Sequence, residues 1–189
     1  MKEILCFLYD GFVDFEMALT CSPINGNENY KLTYIAYDKK PIRSSSGLTI
    51  LPDKKVSEIT DLNPIEGLII PGGIIRILNP ELKHLIKKLN DEKKLLAAIC
   101  AGPEFLAKSG VLKGKKYTTS EEPQNYKEKN EEDPFPRDTY IDTRIIQDGN
   151  IITAKGHAFI DFSLEIWDWF DLFTSEEEKE EDKKLLTPI

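Results

Sequence analysis

An α/β fold, with a mostly parallel sheet covered by helices on both faces, is predicted by two patterns in the 189-residue sequence. Short, wholly apolar runs such as Gly67-Leu-Ile-Ile-Pro71 and Leu95-Leu-Ala-Ala-Ile99 read as strands buried on both faces. Between them lie segments of helical period. In Pro80 to Asn90, Leu82, Leu85, Ile86 and Leu89 share one face and lysines occupy the other. Hydrophobic residues make up 40% and charged residues 31%, enough to build a core and to keep it soluble. The length suits one domain, residues 1–174, followed by an acidic helix or tail over 175–189.

Taken in order, Lys2 to Tyr9 reads as a strand closed by the Asp10-Gly11 turn. Asp14 is placed to cap a helix running to about Cys21, where Pro23 stops it. Tyr30 to Tyr37 and Leu48 to Leu51 read as strands, with the Arg43 to Gly47 turn before the second. Pro71-Gly72-Gly73 ends the Gly67 strand, and Cys100-Ala101-Gly102 bends the Leu95 strand into a helix opened by Pro103 and closed near Gly110. Tyr117 to Thr119 suits a short strand. Ser120 to Arg137 is a polar insertion anchored by Tyr126 and Phe135. Tyr140 to Gln147 and Asn150 to Ala154 flank Asp148-Gly149, a hairpin signal, and a helix follows from about Ala158 to Phe173. Ser175 caps the acidic stretch to Lys184.

Charge and composition narrow the function. A net charge of −8 repels phosphate backbones, and no basic cluster interleaved with aromatics offsets it, so nucleic-acid partners are disfavoured. No run approaches the ~20 apolar residues of a membrane span. The N-terminal apolar stretch is too short for a signal peptide, which makes the expected location cytoplasmic. The three cysteines, Cys6, Cys21 and Cys100, are odd in number and read as reduced thiols, with Cys6 and Cys21 in the core. No cofactor and no metal is implied, and a small-molecule substrate is the expected partner.

The chemistry centres on Cys100. A cysteine on a strand-to-helix turn presents its sulfur to solvent, and the helix N-terminus favours the thiolate, so its pKa is expected below the free value. By position alone a buried structural cysteine is the alternative. Ligands of open α/β sheets bind beyond the carboxyl ends of the strands, where Glu16, Gly72-Gly73 and Cys100 converge.

Five segments together resemble the DJ-1/PfpI (ThiJ/PfpI) superfamily: Asp10-Gly-Phe-Val-Asp-Phe-Glu16, Gly67 to Gly73, Ala98-Ile-Cys-Ala-Gly102, Gly110-Val-Leu-Lys-Gly114 and Ile152-Thr-Ala-Lys-Gly156. The resemblance implies a flavodoxin-like three-layer α/β/α sandwich, a homodimer, and a reactive cysteine, Cys100, hydrogen-bonded to Glu16. In a poorly solvated cleft such a carboxyl would keep its proton and donate it to sulfur. Backbone amides of Gly72 or Gly73 and of Ala101 could form an oxyanion hole.

The sequence departs from the family at its histidines. Ala101 follows Cys100 where peptidase-type relatives carry histidine, so peptidase activity is disfavoured. After Thr118-Thr119, where many relatives place a histidine, stands Ser120-Glu121-Glu122. Only His84 and His157 remain. His84 reads as a surface residue, whereas His157 shares the sheet edge with Cys100 and is a candidate third member, as in the related class I glutamine amidotransferases. The expectation is a cysteine-dependent hydrolase, hydratase or lyase acting on a small carbonyl, amide or isonitrile through Cys100 and Glu16. The alternative is a non-catalytic thiol sensor or stress-response protein.

Overall fold

The computed structural model describes residues 1–187. Its first strand, β1 (Lys2–Phe7), leads through α1 (Phe15–Gly26) into β2 (Tyr30–Ala36), which lies parallel beside it. β3 (Ile42–Arg43) and β4 (Thr49–Ile50) form a small antiparallel ribbon round the Ser44 to Leu48 turn. β5 (Lys54–Lys55) adds an edge to β2. The chain then crosses to the other side of β1 with β6 (Ile65–Ile70), and α2 (Pro80–Asp91), β7 (Leu95–Ile99) and α3 (Pro103–Ser109) follow. α4 (Pro123–Glu128) lies in the insertion. β8 (Ile145–Asp148) and β9 (Ile151–Ala154) form the closing hairpin, ahead of α5 (Phe159–Trp169) and α6 (Glu176–Leu186).

The sheet order is β5-β2-β1-β6-β7-β9-β8, parallel throughout except for β8. Parallel crossovers are right-handed, so stepping one way from β1 to β2 and the other way from β6 to β7 places α1 and α2 on opposite faces. α1 accordingly packs on α5, and α2 on α3. The result is the expected three-layer sandwich. Its core strands are buried on both faces: Ile4 to Leu8, Leu68 to Ile70 and Leu95 to Ile99 are all at 0% exposure. Each fully buried Leu or Ile contributes ~1.5–3 kcal/mol relative to exposure. Polar side chains lock the α1–α5 contact, where Thr20 and Ser163 hydroxyls lie 2.8 Å apart and the Trp167 indole donates to the Thr20 carbonyl at 2.9 Å.

Several local expectations are corrected. α1 runs through Pro23 to Gly26, because Ile24, at 0% exposure, carries the last turn onto the core. Asp14 makes no side-chain cap; its carboxylate accepts instead from the hydroxyls of Ser44 and Ser46, pinning that turn to the head of α1. Tyr117 to Thr119 forms only a single bridge, Tyr117 to Tyr140, rather than a strand. The hairpin turn is Gly149-Asn150, one residue later than read, and Asn150 donates to the Lys94 carbonyl at 2.9 Å. α5 stops at Trp169, and Asp171 turns away with a φ of 52°. Tyr126 and Phe135 are buried at 3% and 6%, pinning the insertion. Ser175 accepts from the Glu178 amide and caps α6; residues 188–189 of the acidic stretch lie outside the described residues. Among the described residues no helix is long and apolar enough to cross a membrane, and no cluster of His, Cys, Asp or Glu is arranged to hold a metal ion.

Candidate active site

Cys100 stands between the last residue of β7 and the first turn of α3 with a φ of 62°. For a non-glycine residue that conformation costs of order 1–3 kcal/mol and persists only where the surroundings over-determine it. Here they do. The Cys100 amide donates to Ala154 at 2.8 Å, and its carbonyl accepts from the Ser120 amide at 2.9 Å and the Thr119 hydroxyl at 2.8 Å. The Gly102 amide closes the turn on Ile99 at 2.8 Å. Cys100→Gly, which relieves the strain, is therefore expected to raise stability by ~1 kcal/mol while removing the thiol, measurable as a higher urea midpoint.

Two glycines press against the sulfur. A β-carbon at Gly72 would lie 3.0 Å from Cys100 Sγ and 2.7 Å from Glu16 Oε2; one at Gly156 would lie 2.9 Å from Sγ and 3.0 Å from Glu16 Oε1. Thiol and carboxyl are thus packed side by side between Gly72 and Gly156. Glu16, in the first turn of α1, is only 2% exposed, and its Oε2 accepts from the Gly72 amide at 2.7 Å. Burial pushes the Glu16 carboxyl up to about 7, against the Gly72 amide and the Cys100 hydrogen bond, which both favour the charged form.

The thiol corrects an expectation. Burial, then the neighbouring Glu16 carboxylate and the hydrogen bond to it, push Cys100 up to about 12, against the Ser120 hydroxyl and the Ala101 amide, which stabilise the thiolate. The helix N-terminus does not outweigh desolvation here. The two groups are linked, because a thiolate is favoured when Glu16 holds the proton and disfavoured when Glu16 is charged. With the carboxyl at about 7 and the thiol at about 12, the pair passes from neutral to a single negative charge as pH rises through neutrality.

The predicted site residues fall into three groups. Cys100, Glu16 and Gly72 meet directly, and Ala101 offers its amide to the sulfur. Gly72 has its amide committed to Glu16, so that amide is not free for an oxyanion; Gly73 packs against the Asp10 to Phe12 turn, where a β-carbon would lie 2.7 Å from the Gly11 carbonyl oxygen. His157 lies on a short 3-10 turn, Gly156 to Ala158, with its side chain exposed, and it makes no side-chain hydrogen bond among the described residues. It is Gly156, not His157, that faces the sulfur. His84 is on exposed α2 surface.

Ser120 and Gly156 were not read as site residues. Ser120 takes the place left by the absent histidine: its Oγ accepts from the Gly156 amide at 3.0 Å, so its own proton is free for sulfur. The signal was its position right after Thr118-Thr119, obscured by assigning it to the insertion.

The sequence profile of the DJ-1/PfpI family matches residues 2–168. The chain belongs to the DJ-1/PfpI family. Among DJ-1/PfpI relatives, the Drosophila melanogaster protein DJ-1alpha is 28% identical over 173 residues, covering 87% of this chain and 76% of its own. A Thermococcus kodakarensis deglycase is 28% identical over 158 residues, covering 81% of this chain and 89% of its own. The crystal structure of a DJ-1 superfamily protein from Agrobacterium tumefaciens superposes with a TM-score of 0.83 at 27% identity, covering 98% and 97% of the two chains.

Proposed function

We propose that this DJ-1/PfpI protein is a cysteine-dependent enzyme acting on a small carbonyl, amide or isonitrile, working in the cytoplasm as the homodimer usual for the family. The reading is supported above all by the strained, partly exposed Cys100 packed against a buried carboxyl that titrates near neutral pH. As carboxylate, Glu16 takes the thiol proton. The thiolate then attacks the electrophilic carbon, a C–S bond forms, and the π electrons move to the oxygen of a carbonyl or amide or, with an isonitrile, stay as a lone pair on the attacked carbon. Glu16 returns its proton to that atom. The Ala101 amide lies next to the developing charge. Deglycase, the description of the Thermococcus relative, falls within this substrate class.

Assays with methylglyoxal, small amides and isonitriles, comparing wild type with Cys100→Ser, test the reading. Turnover confined to the wild type is expected; equal turnover in both removes Cys100 from the mechanism. A second reading, a thiol sensor oxidised to sulfenic or sulfinic acid, is favoured by one observation, that His157, the candidate third member of the site, is exposed to solvent. Mild peroxide followed by mass spectrometry then places oxygen on Cys100 in a protein without turnover. Oxygen on buried Cys6 or Cys21 instead counts against it.

A further inference from the structure

A buried charge cluster stands behind the site. Arg76, on the loop after Gly72-Gly73, has a side chain only 9% exposed, and a cation so buried must find partners in every direction. Its Nε donates to Glu104 Oε2 at 2.7 Å, one terminal nitrogen donates to the Gly73 carbonyl at 2.6 Å, and the other lies 3.1 Å from Glu121 Oε2. Glu104, itself 3% exposed, also accepts from the Tyr126 hydroxyl at 2.7 Å and pairs with Lys108. Two cations thus face two carboxylates. Burial alone would raise Glu104, but Lys108, Tyr126 and Arg76 together hold it below the usual carboxylate range.

What matters for the site is which loops the guanidinium joins. Gly73 follows Gly72, whose amide holds Glu16; Glu121 follows Ser120, whose amide holds the Cys100 carbonyl and whose hydroxyl sits on the Gly156 amide beside the sulfur. One planar group therefore fixes both walls of the thiol pocket, through the chain neighbours of Gly72, whose amide holds Glu16, and of Ser120, which hydrogen-bonds the sulfur. Neither wall belongs to a strand or long helix, so a loop shift of ~1 Å would misplace them, and misplacement on that scale costs reactivity by as much as 10²-fold.

We propose that Arg76 is a positioning residue for Cys100, clamping the Gly72-Gly73 loop to the Ser120-Glu121 segment so that Glu16 and Ser120 stay within reach of the sulfur. The proposal rests on Cys100 being the functional thiol, and it deepens that reading by assigning the support of its proton donors. A guanidinium is required, because an ammonium is a point charge and cannot span three acceptors in one plane.

Cys100 alkylation by iodoacetamide, followed by mass spectrometry from pH 6 to 10, tests it in wild type, Arg76→Met, Arg76→Lys, Glu121→Gln and Ser120→Ala. Arg76→Met is expected to slow alkylation about tenfold at pH 8 and to move the profile upward, with Glu121→Gln shifting it severalfold in the same direction. Arg76→Lys is expected not to restore the rate, and Arg76→Met combined with Ser120→Ala to be no slower than the slower single variant. A wild-type profile in folded Arg76→Met overturns the clamp, and so does full rescue by Arg76→Lys, which would leave only the charge at work. Should Arg76→Met fail to fold, Glu121→Gln decides: a wild-type profile there overturns the proposal. Alkylation reads the sulfur directly, so a protein with no turnover that still shows these shifts would sink the proposed enzyme and leave the clamp standing.

Discussion

Glu16→Gln is expected to stabilise the protein by ~3 kcal/mol at pH 8 and to leave it nearly unchanged at pH 4. The carboxyl is 2% exposed and burial lifts it from 4.5 to about 7, so the folded chain holds this proton more tightly than the unfolded chain does. Its contribution is complete below pH 4.5, where both states are protonated, and is lost as pH rises towards 7, where folding must bury a charge. At about 1.4 kcal/mol per pH unit, the interval amounts to ~3 kcal/mol. Glutamine keeps the shape and the acceptor for the Gly72 amide but cannot ionise. Urea midpoints at pH 4, 6 and 8 for both proteins provide the measurement. Parallel curves would mean that Glu16 does not titrate in this interval. The same variant loses the group that relays the thiol proton, so added stability and lost turnover are expected together, the trade-off common at functional sites.

How much of this was legible in the sequence depended on the range of the determining interaction. The strands Leu95 to Ile99 and Gly67 to Ile70 were legible because a strand buried on both faces must be apolar at every position. α2 was legible to within a residue, because its Leu82, Leu85, Ile86 and Leu89 face is a local property of the helix. The end of α1 was not, since Pro23 is a local stop signal overruled by the burial of Ile24 against distant strands. Cys100 and Glu16 could be read from motifs, but the height of the thiol's pKa could not, because desolvation is a sum over the whole fold. Ser120, Gly156 and Arg76 are meaningful only through partners far along the chain: Ser120 binds Gly156, and Arg76 binds Glu104 and Glu121. His157 was placed at the correct edge of the sheet, yet one residue of offset decided the matter, since the backbone that brings Gly156 against sulfur leaves the next side chain in solvent.

Gly72→Ala is expected to abolish Cys100 reactivity, by at least 10²-fold in alkylation rate at pH 8, and to cost ~2–4 kcal/mol of stability. The new methyl would land 2.6 Å from Cys100 Cβ and 2.7 Å from Glu16 Oε2, both closer than such contacts occur, and 3.0 Å from Cys100 Sγ, tighter than nearly all. Relief by rotating the cysteine is blocked, since its φ of 62° is fixed by backbone bonds to Ala154 and Ser120. Relief by moving Glu16 breaks its 2.7 Å bond to the Gly72 amide and strands a buried carboxyl. The loop itself is held on the far side by Arg76. Gly26→Ala is the matched control, because a β-carbon there, at the end of α1, meets nothing within 4 Å, and its stability and alkylation rate are expected to stay at wild-type values or slightly above. Comparable alkylation of Cys100 in Gly72→Ala and Gly26→Ala would show that sulfur and carboxyl are not packed against Gly72, and the proton relay between them would have to be given up.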